Sequence, residues 1–77
     1  MKTIINEAGR KAIAEFLREN LAGNVTEETV EAYVKMAAQR MQAYGGLPSL
    51  EITMCSSLTG EVEYLELSED DVTKVEE

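Results

Sequence analysis

The hydrophobic period of this chain changes once, at Gly45-Gly46-Leu47-Pro48, and that change limits the fold more than any other feature. Before it, apolar residues recur at three- and four-residue steps. After it, they alternate. A repeat near 3.6 residues builds an amphipathic helix and a repeat of 2 builds a half-buried strand. Helices come first and strands follow, which is the order of an α+β domain.

The first helix is expected from Asn6 to Leu21. Ile5, Ala8, Ala12, Ile13, Phe16, Leu17 and Leu21 form its apolar stripe, with Arg10, Lys11, Glu15, Arg18 and Glu19 mostly between them. Gly23-Asn24 supplies residues that accept a left-handed helix end. The second helix starts at Thr26, whose hydroxyl can accept an unpaired backbone N–H. Glu27 and Glu28 fall in its first turn, where the helix dipole favours negative charge. Val25 and Val30 stand at the positions of a hydrophobic staple. Its stripe continues through Tyr33, Val34, Ala37, Ala38, Met41 and Tyr44, and Pro48 prevents resumption. The short link between the helices predicts an antiparallel pair.

Leu50, Ile52 and Met54 alternate with Glu51, Thr53 and Cys55, so a strand is expected there. Ser56 to Gly60 reads as a turn, and a second strand runs from Glu61 to Leu67. If Ser57 faces Glu61 across that turn, Met54 faces Tyr64 and Ser56 faces Val62. Leu50, Ile52, Met54, Val62 and Tyr64 then form the core face. Leu65 and Leu67 fall on the outer face, as part of a patch for a partner or a second copy. A one-residue bulge near Tyr64 would return them to the core. Lys2 to Ile5 is an optional edge strand that would make the sheet three-stranded. In the tail, Ser68 resembles an N-cap with Asp71 three residues on, and Leu67 with Val72 repeats the staple, so a short helix over Glu69 to Glu76 is a further expectation.

The expected architecture is one small α+β domain over 1–77. A helical hairpin (1–46) packs on a two-stranded, optionally three-stranded, antiparallel hairpin (47–67), followed by an acidic tail or short helix (68–77). Its length, 77 residues, leaves room for one domain. Cys55 is the only cysteine and there is no histidine, so neither an intrachain disulfide nor an ordinary structural zinc site is available. The apolar run after Met1-Lys2-Thr3 ends after Ile4 and Ile5. A secretory leader wants about 7–15 apolar residues and a membrane span about 20. A cytoplasmic location is therefore the expectation.

Charge is unevenly placed. Residues 1–50 carry six acids and six bases. Residues 51–77 carry nine acids and one base, Lys74, and so hold the whole net charge of −8. Such a balance argues against direct contact with nucleic-acid backbones and with anionic membranes. Charge asymmetry between segments points to an interaction surface.

Candidate chemistry is sparse. Cys55 has no histidine to activate it, and its expected cross-strand neighbour is Glu63, so an idle thiol is the reading. Glu69-Asp70-Asp71 lacks the alternation and glycine of a calcium loop. Paired carboxylates lack a cleft. Gly45-Gly46 lacks the lysine of a phosphate loop. No catalytic, cofactor or metal residue is assigned, and an enzyme is not expected. Tyr33, Met41 and Tyr44 fit the core stripe, whereas Met36 does not and is a candidate exposed contact. Glu61, Glu63, Glu66, Glu69, Asp70 and Asp71 are read either as a solubility device or as an acidic ladder presented to a basic protein surface. Alternate side chains on a strand stand about 6.5–7 Å apart, comparable with phosphates along a DNA strand.

In size, charge and compactness the chain resembles small phage-encoded inhibitors of bacterial defence, anti-CRISPR proteins and DNA mimics among them; no sequence motif carries this resemblance. It implies an inhibitor or adaptor that docks on a basic protein surface through the acidic residues, Leu65, Leu67 and Met36. A homo-oligomeric module, with Leu65, Leu67 and Met36 as dimer contacts, is the alternative.

Overall fold

The computed structural model describes residues 2–76. Met1 and Glu77, the ends of the expected 1–77 domain, lie outside the described residues. The elements run β1 (Lys2–Ile5), α1 (Glu7–Asn20), α2 (Glu27–Tyr44), β2 (Ser49–Ile52), β3 (Glu63–Glu66), a 3₁₀ turn (Glu69–Asp71) and β4 (Val72–Val75). They make two antiparallel two-stranded sheets, β1 with β4 and β2 with β3. The α+β class is as read from the period change. The optional N-terminal strand forms, but it pairs with the other end of the chain instead of widening the hairpin.

The helix starts follow from their caps. Asn6 Oδ1 accepts the Gly9 N–H at 3.0 Å. Thr26 Oγ1 accepts the Thr29 N–H at 3.3 Å, and the Thr29 hydroxyl accepts the Thr26 N–H at 3.4 Å. These bonds satisfy donors that a helix leaves unpaired in its first turn. Gly45 ends α2 with φ of 74°, and its N–H reaches back to the Met41 carbonyl. A left-handed φ of this kind is costly for any residue with a Cβ.

The core gathers Ile13, Ala14, Phe16 and Leu17 of α1, Val30 and Ala37 of α2, Leu50 and Ile52 of β2, and Leu67. Ile5, Leu21, Val25, Tyr33, Val34 and Leu65 pack around it. Two stripe positions are corrected. Ala8 is exposed and Gly9 is buried in its stead, so the inward face of α1 begins one residue later. Tyr44 is 86 % exposed, because it sits on the last turn of α2, beyond the core.

The expected hairpin register is also corrected. Leu50 faces Leu65, Glu51 faces Tyr64 and Ile52 faces Glu63; Met54 does not face Tyr64. The shift is an odd number of residues, and an odd shift turns every side chain to the other face. Leu65 and Leu67 therefore point inward, and no bulge is needed to bring them there. Tyr64 points outward and is 70 % exposed; Met54 and Val62 are also at the surface. The cause lies in the connection between the strands. Ala22 N–H donates to the Ser56 carbonyl and Leu58 N–H to the Asn20 carbonyl, each at 2.8 Å. Ser57 is buried, and its hydroxyl accepts the Gly60 N–H. The loop is tied to the end of α1, not closed as a tight turn.

The expected terminal helix stops after one 3₁₀ turn. Its start signal is real: Ser68 N–H and hydroxyl both donate to the Asp71 carboxylate, at 2.8 and 3.2 Å. Beyond Asp71, however, Val72, Thr73 and Val75 are β-branched and have Lys2–Ile5 to pair with. A lone two-turn helix is marginal in water, so the strand wins.

The two chain ends meet at Asn6. Its N–H donates to the Asp71 carbonyl at 3.1 Å. Its Nδ2 donates to the Asp70 carbonyl at 2.9 Å and to the Thr73 hydroxyl at 3.0 Å. Gly9 lies against this junction. A Cβ placed there would stand 2.3 Å from the Asp71 carbonyl oxygen and 2.8 Å from Ile5 Cγ2. Backbone cannot yield as a flexible side chain can, so the junction needs glycine in mid-helix. Gly9→Ala should therefore lower stability by about 1–3 kcal/mol, the usual range for overpacking. Helix propensity alone would raise it by about 1 kcal/mol. Urea denaturation of the two proteins decides between the signs.

Candidate protein-docking surface

Register parity sets which residues the β2–β3 sheet offers to solvent. Ser49 and Glu51 of β2 share the outer face with Tyr64 and Glu66 of β3. Leu50, Ile52, Leu65 and Glu63 take the inner face. Tyr64 is the exposed aromatic of this surface. Glu66 lies two residues along the same face. Met54 and Leu58, 61 % and 59 % exposed, extend the apolar character into the connecting loop.

One edge of the sheet is closed by α2. Arg40 donates to both Glu51 carboxylate oxygens at 2.9 Å, and to the Ser49 carbonyl at 2.8 Å. A planar guanidinium fits a carboxylate in this two-bond geometry. The contact holds the Glu51 carboxyl below its ordinary pKa: the hydrogen bond from Arg40 lowers it most, partial burial opposes, and the Arg40 charge adds to the lowering. Arg40 is correspondingly raised by the hydrogen bond to Glu51, with partial burial opposing and the charges of Glu51 and Tyr44 adding.

The acids expected to form one ladder are separated. Glu61 is exposed in the loop before β3. Glu63 and Glu66 lie on opposite faces of β3. Glu63 is half-buried and accepts the Thr59 hydroxyl at 3.1 Å. Glu69 and Asp70 are exposed on the 3₁₀ turn, while the Asp71 carboxylate is occupied by Ser68. Of the apolar contacts expected, Leu67 is 4 % exposed and belongs to the core. Leu65 is half-buried beside it. Met36 is 37 % exposed on α2. Among the described residues, ion pairs form at Arg10–Glu31 and Arg40–Glu51. Neither uses an acid from positions 61–76.

Sequence reasoning assigns Tyr64 and Tyr44 to the core, and the structure exposes both; the Arg40–Glu51 pair has no signal in the sequence pattern. A signal for Tyr64 existed: Leu65-x-Leu67 matches Leu50-x-Ile52 as a second apolar pair, and placing the two pairs on one face gives the observed parity. Elsewhere, an open groove of about 700 Å³ lies between the end of α2 and the β1–β4 sheet. Its lining includes Thr3, Met41, Leu47, Glu69, Val72 and Lys74. Cys55 is exposed. Among the described residues, no three His, Cys, Asp or Glu converge as a metal site, and no helix is long and apolar enough to cross a membrane. Compared with known proteins, the chain matches no family model, no curated protein and no solved structure.

The Arg40–Glu51 contact gives a pH-dependent term. Because folding lowers the Glu51 pKa, its contribution is present above the unfolded value near 4.5 and is lost as pH falls through the folded value. Both side chains keep about a third of their surface in solvent, at 32 % and 39 %. The pair is therefore worth up to about 1 kcal/mol. Glu51→Gln should reduce stability at neutral pH by that order, and the difference from wild type should vanish in acid. Thermal unfolding as a function of pH checks this.

Proposed function

We propose that this protein is a non-catalytic binding module, an inhibitor or adaptor, that docks on a basic protein surface through its β2–β3 side. The observation that carries the reading is an exposed tyrosine among unpaired acids. Tyr64 stands in water with Glu66 on its own face and Glu61 in the adjoining loop. No described cation within the chain neutralises either acid. Tyrosine is enriched at the centres of protein interfaces because it has a large apolar body and a polar tip. Unpaired carboxylates around it steer a positively charged partner and disfavour a negative one.

The reading rests on this mixed acidic and aromatic surface, not on mimicry of a DNA strand. Glu63 turns away from Glu66, so the acids do not make a regular row. A phage-inhibitor or anti-CRISPR-like role rests on the profile of size and charge, to which the fold adds no residue. Self-association draws less support, since Leu67 is in the core and Leu65 lies against it.

The test is capture from bacterial lysate by the tagged protein at low and high salt, beside a variant carrying Glu61→Gln, Glu66→Gln and Tyr64→Ala. A stoichiometric basic partner, held at low salt, released at high salt and lost by the variant, is expected. Retention of the protein alone at both salts, or equal capture by the variant, contradicts the reading.

A further inference from the structure

We infer that the free edge of β3 takes an extended, basic segment of the partner as an added strand, an inference that rests on the docking reading above. Hydrogen-bond parity decides which backbone groups of β3 face away from β2. Leu67 N–H donates to the Pro48 carbonyl at 3.1 Å, which continues the register of Ser49 with Glu66 and makes Leu67–Pro48 a hydrogen-bonded pair. In an antiparallel ladder, bonded and non-bonded pairs alternate. Ser49–Glu66 and Glu51–Tyr64 are therefore non-bonded pairs, whose N–H and C=O groups point away from the ladder. The Ser49 carbonyl confirms the direction, since it accepts from Arg40 outside the sheet.

The same parity turns the N–H and C=O groups of Tyr64 and Glu66 out from β3. Among the described residues, no other strand pairs with that edge and these backbone groups bond to nothing outside the ladder. An open row of this kind is a template for another strand.

The other three edges are less available. β2 is covered by Arg40. β1 packs against α1 and α2, whereas β3 packs against α1. In the β1–β4 ladder, the Asn6–Asp71 bond fixes the parity so that Lys74 is a position whose backbone turns outward. An edge lysine blunts pairing there. Glu61, Glu63 and Glu66 lie on or beside β3. A second copy pairing β3 with β3 would bring these acids side by side, and like charges in cross-strand positions oppose pairing. A strand with lysine or arginine at alternate positions meets no such repulsion, and its backbone would satisfy the open groups. Charge thus selects the occupant.

The probe is a synthetic peptide of alternating valine and lysine, added to the isotope-labelled protein, with a valine–glutamate peptide as control. In the free protein, Tyr64 and Glu66 amides should exchange quickly while Glu63, Leu65 and Leu67 are protected. Saturation with the lysine peptide should slow Tyr64 and Glu66 by roughly tenfold or more. Glu66→Pro removes an outward donor without breaking a ladder bond, as proline on a strand edge can, and Glu66→Gln removes only the charge. The peptide should bind Glu66→Pro roughly tenfold more weakly than Glu66→Gln. If the proline variant fails to fold, amide exchange in the wild type decides. Binding with no change at Tyr64 and Glu66, or equal binding by the two variants, overturns strand addition while leaving acidic docking intact. Equal binding of the glutamate peptide, no binding of either peptide, or protection that rises with protein concentration alone also overturns it. Failure of lysate capture is a separate result and bears on the docking reading itself.

Discussion

The segment between β2 and β3 is held to the C-terminal end of α1 by two backbone hydrogen bonds, from Ala22 to Ser56 and from Leu58 to Asn20. That tie places the start of β3, and with it the parity of the sheet. With the observed parity, Leu65 and Leu67 join Leu50 and Ile52 in the core, and Tyr64 and Glu66 face water. With the opposite parity, two leucines would be exposed and a tyrosine hydroxyl would need a buried partner. Burying a leucine contributes roughly 1.5–3 kcal/mol, so the core and the loop bonds favour the same arrangement. The surface offered to a partner is the reverse side of that choice.

The chain ends are secured independently. Asn6 caps α1 with its carboxamide oxygen and holds the Asp70–Thr73 segment with its amide nitrogen. One side chain thus joins a local signal, the helix start, to a contact between residues 64 and 67 positions apart. Gly9 allows the approach by having no Cβ. The clustered acids Glu69, Asp70 and Asp71 are consequently not equivalent. The Asp71 carboxylate and the Asp70 and Asp71 carbonyls have structural duties, while Glu69 and Asp70 are exposed.

What could be read from sequence was what local physics decides. Both helices, the Thr26 cap and the stop at Gly45 follow from neighbours a few residues apart. So does the Ser68–Asp71 start signal, although the helix it announces was replaced by β4. The replacement partner, β1, lies at the far end of the chain, where no local pattern points to it. Tyr44 looked like core because periodicity does not say where the core ends. The hairpin register failed because Gly60 suggests a tight turn, whereas contacts with α1 hold the loop open. The acidic surplus was visible as a count. Its division between two faces of β3 and a separate turn depended on that register.

The exposed surface depends on the parity of β2 and β3. Non-bonded antiparallel pairs bring their Cα atoms to about 4.5 Å, close enough for a strong nuclear Overhauser effect between their α-protons. The measurement is a proton Overhauser spectrum of the isotope-labelled protein. Cross-peaks are expected between the α-protons of Glu51 and Tyr64, and of Ser49 and Glu66. A cross-peak joining Met54 with Tyr64 instead would contradict it, returning Tyr64 to the core face and removing the proposed surface.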